Sequence, residues 1–352
     1  MKYLIVIFSI ILISCETNNK KSENETVKNL NKEIEWLYEW ISAWELIVND
    51  EFKLGQANPP EMLFFDTQYV YTNSKLSAPN GKKIKGPNLY GKKIEWLKQE
   101  HNDTLIIPDG NKVPIQIMTF ASPSEKEGIE SFFVMAAPSF WKNAGIDSEE
   151  VGLENMLTGV FLHEFAHTRQ MDGIGKKITD YDNNYQFDFS VSDDLIQDYF
   201  SNDSIYTKLF REQTELIYEY LNTEKPQKGH INDFIQNFAV RQEEYLKPKK
   251  NILVEMDKVF LTMEGIGQYA MIAWLTHPNG GGFSEKLAIK ATRRGKSWWS
   301  QDEGLAWVLL YKKIAKEPNW TPLFSENPPN IFELIENEIN TEQTRVDGSA
   351  QD

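Results

Sequence analysis

Two histidines four residues apart inside an apolar run constrain this chain more than any other feature. Val151, Leu153, Met156, Leu157, Val160, Phe161 and Phe165 recur at helical spacing, which predicts a helix over 151–170. On that helix His163 and His167 stand one turn apart on the same side, so both imidazoles can reach one metal ion. They fall at the edge of the apolar stripe, and Glu164 falls inside it, where a carboxylate without a partner is costly. His163-Glu164-Phe165-Ala166-His167 therefore reads as H-E-x-x-H: two ligands for Zn²⁺, and an acid placed to take a proton from water activated at the metal. Asp147, followed three residues later by Glu150, reads as the helix's N-terminal cap.

A catalytic zinc takes three protein ligands and keeps one position open, so a third ligand is owed. The metzincin spacing fails, with Gln170 where its glycine would stand and Gly173 where its third histidine would stand. The chain has one cysteine, Cys15, and five histidines among 352 residues. A downstream acid or one of His101, His230 and His277 must then serve. Two Glu-Gly pairs compete. Glu264 sits in the middle of an apolar helical run and has no structural reason to be an acid, which favours it. Glu303 stands three residues after Ser300 and can be explained as the far member of a capping box. The histidines and other acids stay open as alternatives.

The ends of the chain carry a different message. Lys2, a short apolar run over residues 3–13 and the sequence Leu12-Ile13-Ser14-Cys15 resemble a bacterial lipoprotein signal, in which Cys15 becomes lipidated and N-terminal. Residues 16–30 read as a flexible spacer and 341–352 as a disordered tail. The net charge of −15 becomes −16 when Lys2 leaves with the leader, which argues against a nucleic-acid partner and against docking on anionic lipid heads. The expected location is extracytoplasmic, lipid-anchored to a bacterial membrane. An outer-membrane or surface position is favoured because Glu rather than Asp follows Cys15.

Between these ends the pattern predicts an α+β chain. Residues 31–146 read as a mixed α/β part: a helix over 31–52, strands over 63–72, 113–120 and 131–137, and a short helix near 92–99. Residues 147–340 read as a mainly helical part that carries the zinc site, with helices over 151–170, 193–221, 231–245, 252–275, 301–315 and 331–339.

With H-E-x-x-H at His163–His167 and Glu264-Gly265 followed by Tyr269, the chain resembles the gluzincin metallopeptidases, the thermolysin-like clan. The resemblance extends to the strand Phe132–Ala136 just upstream. It implies a metallopeptidase fold in which that strand is an edge strand binding substrate backbone. It also implies Glu264 as third zinc ligand, and Tyr269, with His277 as alternative, as a second donor to the oxyanion. Arg169 departs from the clan, which usually has an apolar residue there.

The expected function is a zinc-dependent metallopeptidase acting on peptides or proteins, with Glu164 as general base. Two alternatives stand beside it. One is a non-catalytic surface binding lipoprotein that retains the fold, and the other is a zinc amidase acting on a non-protein polymer.

Overall fold

The computed structural model describes residues 32–348 except 125, 130, 186, 188–190, 224–227 and 316. The leader, Cys15 and the spacer lie outside the described residues. The described residues divide into two compact units, one running up to Met171 and taking in Ala270–Ala291, the other drawn from Asp172–Tyr269 and from Thr292 onward.

The first unit opens with α1 (Glu35–Ile47), whose Leu37, Trp40, Ile41, Trp44 and Ile47 form one buried stripe. Eight strands follow: β1 (Glu61–Phe65), β2 (Tyr69–Thr72), β3 (Lys82–Ile84), β4 (Trp96–Glu100), β5 (Thr104–Ile106), β6 (Lys112–Pro114), β7 (Thr119–Pro123) and β8 (Ser131–Ala136). Six of them make a mixed sheet in the order β3-β4-β2-β1-β8-β7, and β5 and β6 pair separately. β1 and β8 run parallel, with Leu63 opposite Val134, and the other pairs are antiparallel. After the sheet come α2 (Pro138–Asn143) and α3 (Leu153–Thr168), and α3 packs on β7, β8 and α1.

Several expectations are corrected here. The strand expected over 63–72 is a hairpin, because Asp66 Oδ1 accepts from the amides of Gln68 and Tyr69 at 2.8 and 2.7 Å and turns the chain. The region near 92–99 holds β4, not a helix. Trp96 is fully buried there and its indole donates to the Pro87 carbonyl at 2.8 Å, so pairing with β2 and β3 overrides the local preference. The strand at Phe132–Ala136 is not an edge strand: β8 is paired on both sides and buried along its whole length, and the edge beyond it is β7. Asp147 does not cap α3; it accepts from the Ser148 amide, and the helix starts after Gly152, whose φ of +77° suits a residue without a side chain.

The second unit is helical: α4 (Lys176–Asn184), α5 (Leu195–Phe200), α6 (Ser204–Leu221), α7 (Lys228–Arg241) and α8 (Ile252–Thr276). The single helix expected over 193–221 is two, since Asp203 accepts from the amides of Ile205 and Tyr206 and starts α6 afresh. α8 is unbroken for 25 residues and its last turns belong to the first unit. There α9 (Glu285–Arg293) begins, and the chain closes with α10 (Trp299–Ile314) and α11 (Ile331–Gly348). α11 runs past Thr341, so residues 341–348 are helix rather than the expected tail. α10 packs on α5, α6 and α11. Among the described residues no helix is long and apolar enough to cross a membrane.

Candidate metal centre

α3 has two working faces. Phe161 and Phe165, four residues apart, meet α1 and the sheet. Trp40 stacks on Phe161 at 5.2 Å, Trp44 meets Phe165 edge-on at 5.2 Å, and Phe133 of β8 lies 5.6 and 5.4 Å from the two rings. His163 and His167, two residues further along, stand on the opposite side of the helix. The end of α3 is tied down by the first residue of β8, whose Ser131 hydroxyl donates to the Thr168 carbonyl at 3.0 Å. Every residue from Leu157 to Thr168 is buried, so this part of α3 has no solvated face and the histidines and Glu164 are interior groups.

The imidazoles of His163 and His167 point at one another. Their Nε2 atoms are 3.2 Å apart and the ring planes are nearly perpendicular, at 85°. The ligand atoms of His163, His167 and Glu264 all lie within 4.8 Å of one another, and all three residues are buried. This group could hold a metal ion, and among the described residues no other group of histidines, acids or Cys has that geometry.

Glu264 lies on α8. Met271 sits on Gly159 of α3, where an added Cβ would stand 2.6 Å from Met271 Cγ. Glu264 lies two turns before Met271 on the same side of α8. Asp194, just ahead of α5, is a further acid close to Glu264. Burial first, and then the charges of Glu264 and Asp198, push its carboxyl up to about 7.

The competing ligands are placed elsewhere. Glu303 is bound by Arg241, whose Nη2 donates to its two carboxylate oxygens at 2.7 and 2.6 Å, with both side chains buried. The capping-box reading of Glu303 is therefore corrected as well. α10 begins at Trp299, Ser300 already lies inside it, and the acid is half of a buried ion pair. His277 follows α8 and faces Asp50 at 3.2 Å while its Nδ1 accepts from the Asn279 amide. His101 bonds the Asp66 carbonyl, and His230 lies against Tyr220 and Phe234. Tyr269 is fully buried with its ring 4.7 Å from Trp320 and under the Lys312 ammonium. It stands five residues past Glu264, about 140° around the helix. Arg169 donates to the Gly55 carbonyl through both terminal nitrogens and lies over the Tyr90 ring, away from the ligand face.

One contact was not anticipated. The far nitrogen of His167, Nδ1, meets the side-chain oxygen of Gln170 at 2.9 Å. The signal is local, since Gln170 follows His167 by three residues.

No protein-family model matches the sequence, and no curated protein or solved structure matches it.

Proposed function

We propose that the chain is a zinc-dependent hydrolase that cleaves peptide bonds. The observation that carries this reading is the convergence of three buried ligand atoms from His163, His167 and Glu264, with Glu164 next in sequence to the first of them. Two imidazoles and one carboxylate are the donor set of an open catalytic zinc site. The fit is supported by distance. Two nitrogens bound to zinc at about 2.0–2.1 Å in a tetrahedral site lie about 3.3 Å apart, and the Nε2 atoms here are separated by 3.2 Å.

Zinc bound there would supply Lewis acidity for the scissile carbonyl and for the attacking water. The chain's own groups do the remaining work. The Glu164 carboxylate accepts the proton that the water loses and delivers it to the leaving nitrogen, so the acid ends the cycle as it began. Its burial removes competing bulk water from that transfer.

Elemental analysis of the purified chain should find about one zinc per molecule, and digestion of a broad peptide library should yield products that Glu164→Gln does not make. A chain that takes up no zinc even on reconstitution would sink the reading. Zinc binding without cleavage of any peptide would favour the binding lipoprotein or the amidase. We propose in addition that the chain is held outside the cytoplasm by lipid on Cys15. Unchanged lipid labelling of Cys15→Ser would overturn that.

A further inference from the structure

The two nitrogens of His167 face different partners. Nε2 points to His163, and Nδ1 meets Gln170 Oε1 at 2.9 Å. An amide oxygen only accepts, so Nδ1 carries the hydrogen. A neutral imidazole has a single N–H, so Nε2 keeps its lone pair directed at the position a metal would take. His167 and Gln170 are 2 % and 1 % exposed, so bulk water does not compete for that hydrogen bond. The geometry is anchored in the backbone as well. The Gln170 amide donates to the His167 carbonyl at 2.9 Å, which fixes the root of one side chain relative to the other.

We propose that Gln170 is the positioning residue of this metal centre. It selects the tautomer of His167, holds the ring plane, and does both without adding charge. The inference rests on the metal-site reading above and deepens it. A carboxylate at the same place would accept the same hydrogen bond but would also lend negative charge to the ligand. With two neutral imidazoles and one carboxylate, a bound divalent ion keeps net positive charge. The neutral amide preserves that charge, trading tightness of binding for a more electrophilic centre.

Full-length wild type, Gln170→Met and Gln170→Glu can be compared in two measurements. One is Zn²⁺ affinity by chelator competition. The other is the tautomer of His167, read from ¹⁵N shifts of histidine-labelled, metal-free protein. Gln170→Met keeps the size but cannot accept the bond. It should bind zinc about 10–100-fold more weakly and show both tautomers of His167. Gln170→Glu should keep the single Nδ1–H tautomer and bind zinc at least as tightly as wild type. Wild-type affinity together with a single tautomer in Gln170→Met would overturn the assignment. If Gln170→Met does not fold, weaker zinc binding by folded Gln170→Glu would overturn it instead. A wild-type chain that binds no zinc would remove the metal reading, while the tautomer comparison would still decide whether Gln170 sets the ring of His167.

Discussion

Gly265 of α8 and Gly304 of α10 meet backbone to backbone. A Cβ on Gly265 would stand 2.4 Å from the Gly304 carbonyl oxygen, and one on Gly304 would stand 2.4 Å from that of Leu261. The two Glu-Gly pairs that compete in the sequence are thus two sides of one helix crossing. Each glycine lets the backbones touch, and the glutamate before it goes to its own partner: Glu264 to the histidines, Glu303 to Arg241.

Gly304→Ala should therefore destabilise the chain by about 1–3 kcal/mol or more, because backbone rather than a side chain must give way. For Gly159→Ala the three nearest atoms all belong to the flexible Met271 side chain, so it should cost less. Urea denaturation of the two variants checks the order; equal costs would contradict the tight crossing.

The two glutamates should fail in opposite ways. On the proposed site, Glu264→Ala should lower zinc affinity, with activity returning in part with excess metal. Glu303→Ala leaves zinc bound but strands the buried Arg241 guanidinium, at a cost of about 3–5 kcal/mol. The pair Arg241→Met with Glu303→Leu should cost less than Glu303→Ala alone. Metal content and denaturation midpoints measured side by side separate the two roles, and a Glu303→Ala chain stripped of zinc would exchange them.

Glu164→Gln keeps the size of the side chain and every ligand. Zinc content should be that of wild type while peptide hydrolysis falls by about 10²–10⁴-fold. Loss of zinc in this variant would make Glu164 a ligand rather than a base.

Asp257, buried on α8, has its carboxyl pushed up to about 7. Burial is the main cause and the Glu303 charge adds to it, against the lowering influence of Arg241 and of the hydrogen bond from Gln242. The folded chain thus holds this proton more tightly than the unfolded chain, whose value is the ordinary 3.8. The stability so contributed is complete below about pH 4 and is lost as the pH rises through about 7. Asp257→Asn cannot ionise. Its unfolding free energy relative to wild type should therefore move in the variant's favour between about pH 5 and 8. A difference that stays constant across that range would contradict the raised value.

The long periodic elements were legible in the sequence, and the short paired ones were not. α3 and α8 each carry enough apolar repeats to declare themselves, and β8 is a single apolar run, so the histidines and Glu264 could be named beforehand. β3, β5 and β6 are three residues long and depend on partners for their state, as β4 does through its pairing with β2 and β3. The role of Glu303 was hidden for a similar reason. Its partner Arg241 lies 62 positions away, and nothing local distinguishes a buried ion pair from a cap.

The sheet also ends differently on its two sides. β3 closes one side with three residues, two of them exposed lysines, one paired with Glu95. A strand this short and charged is a poor template for another copy of the chain, because pairing there would crowd ammonium groups while gaining few backbone hydrogen bonds. β7 carries no charge and is guarded by burial instead: Thr119, Phe120, Ala121 and Ser122 are all buried, and Pro123 ends the strand. Added strands are thus kept off the two sides by different means, shortness and charge at β3 and cover at β7, so local opening around β7 would bare the longer pairing template.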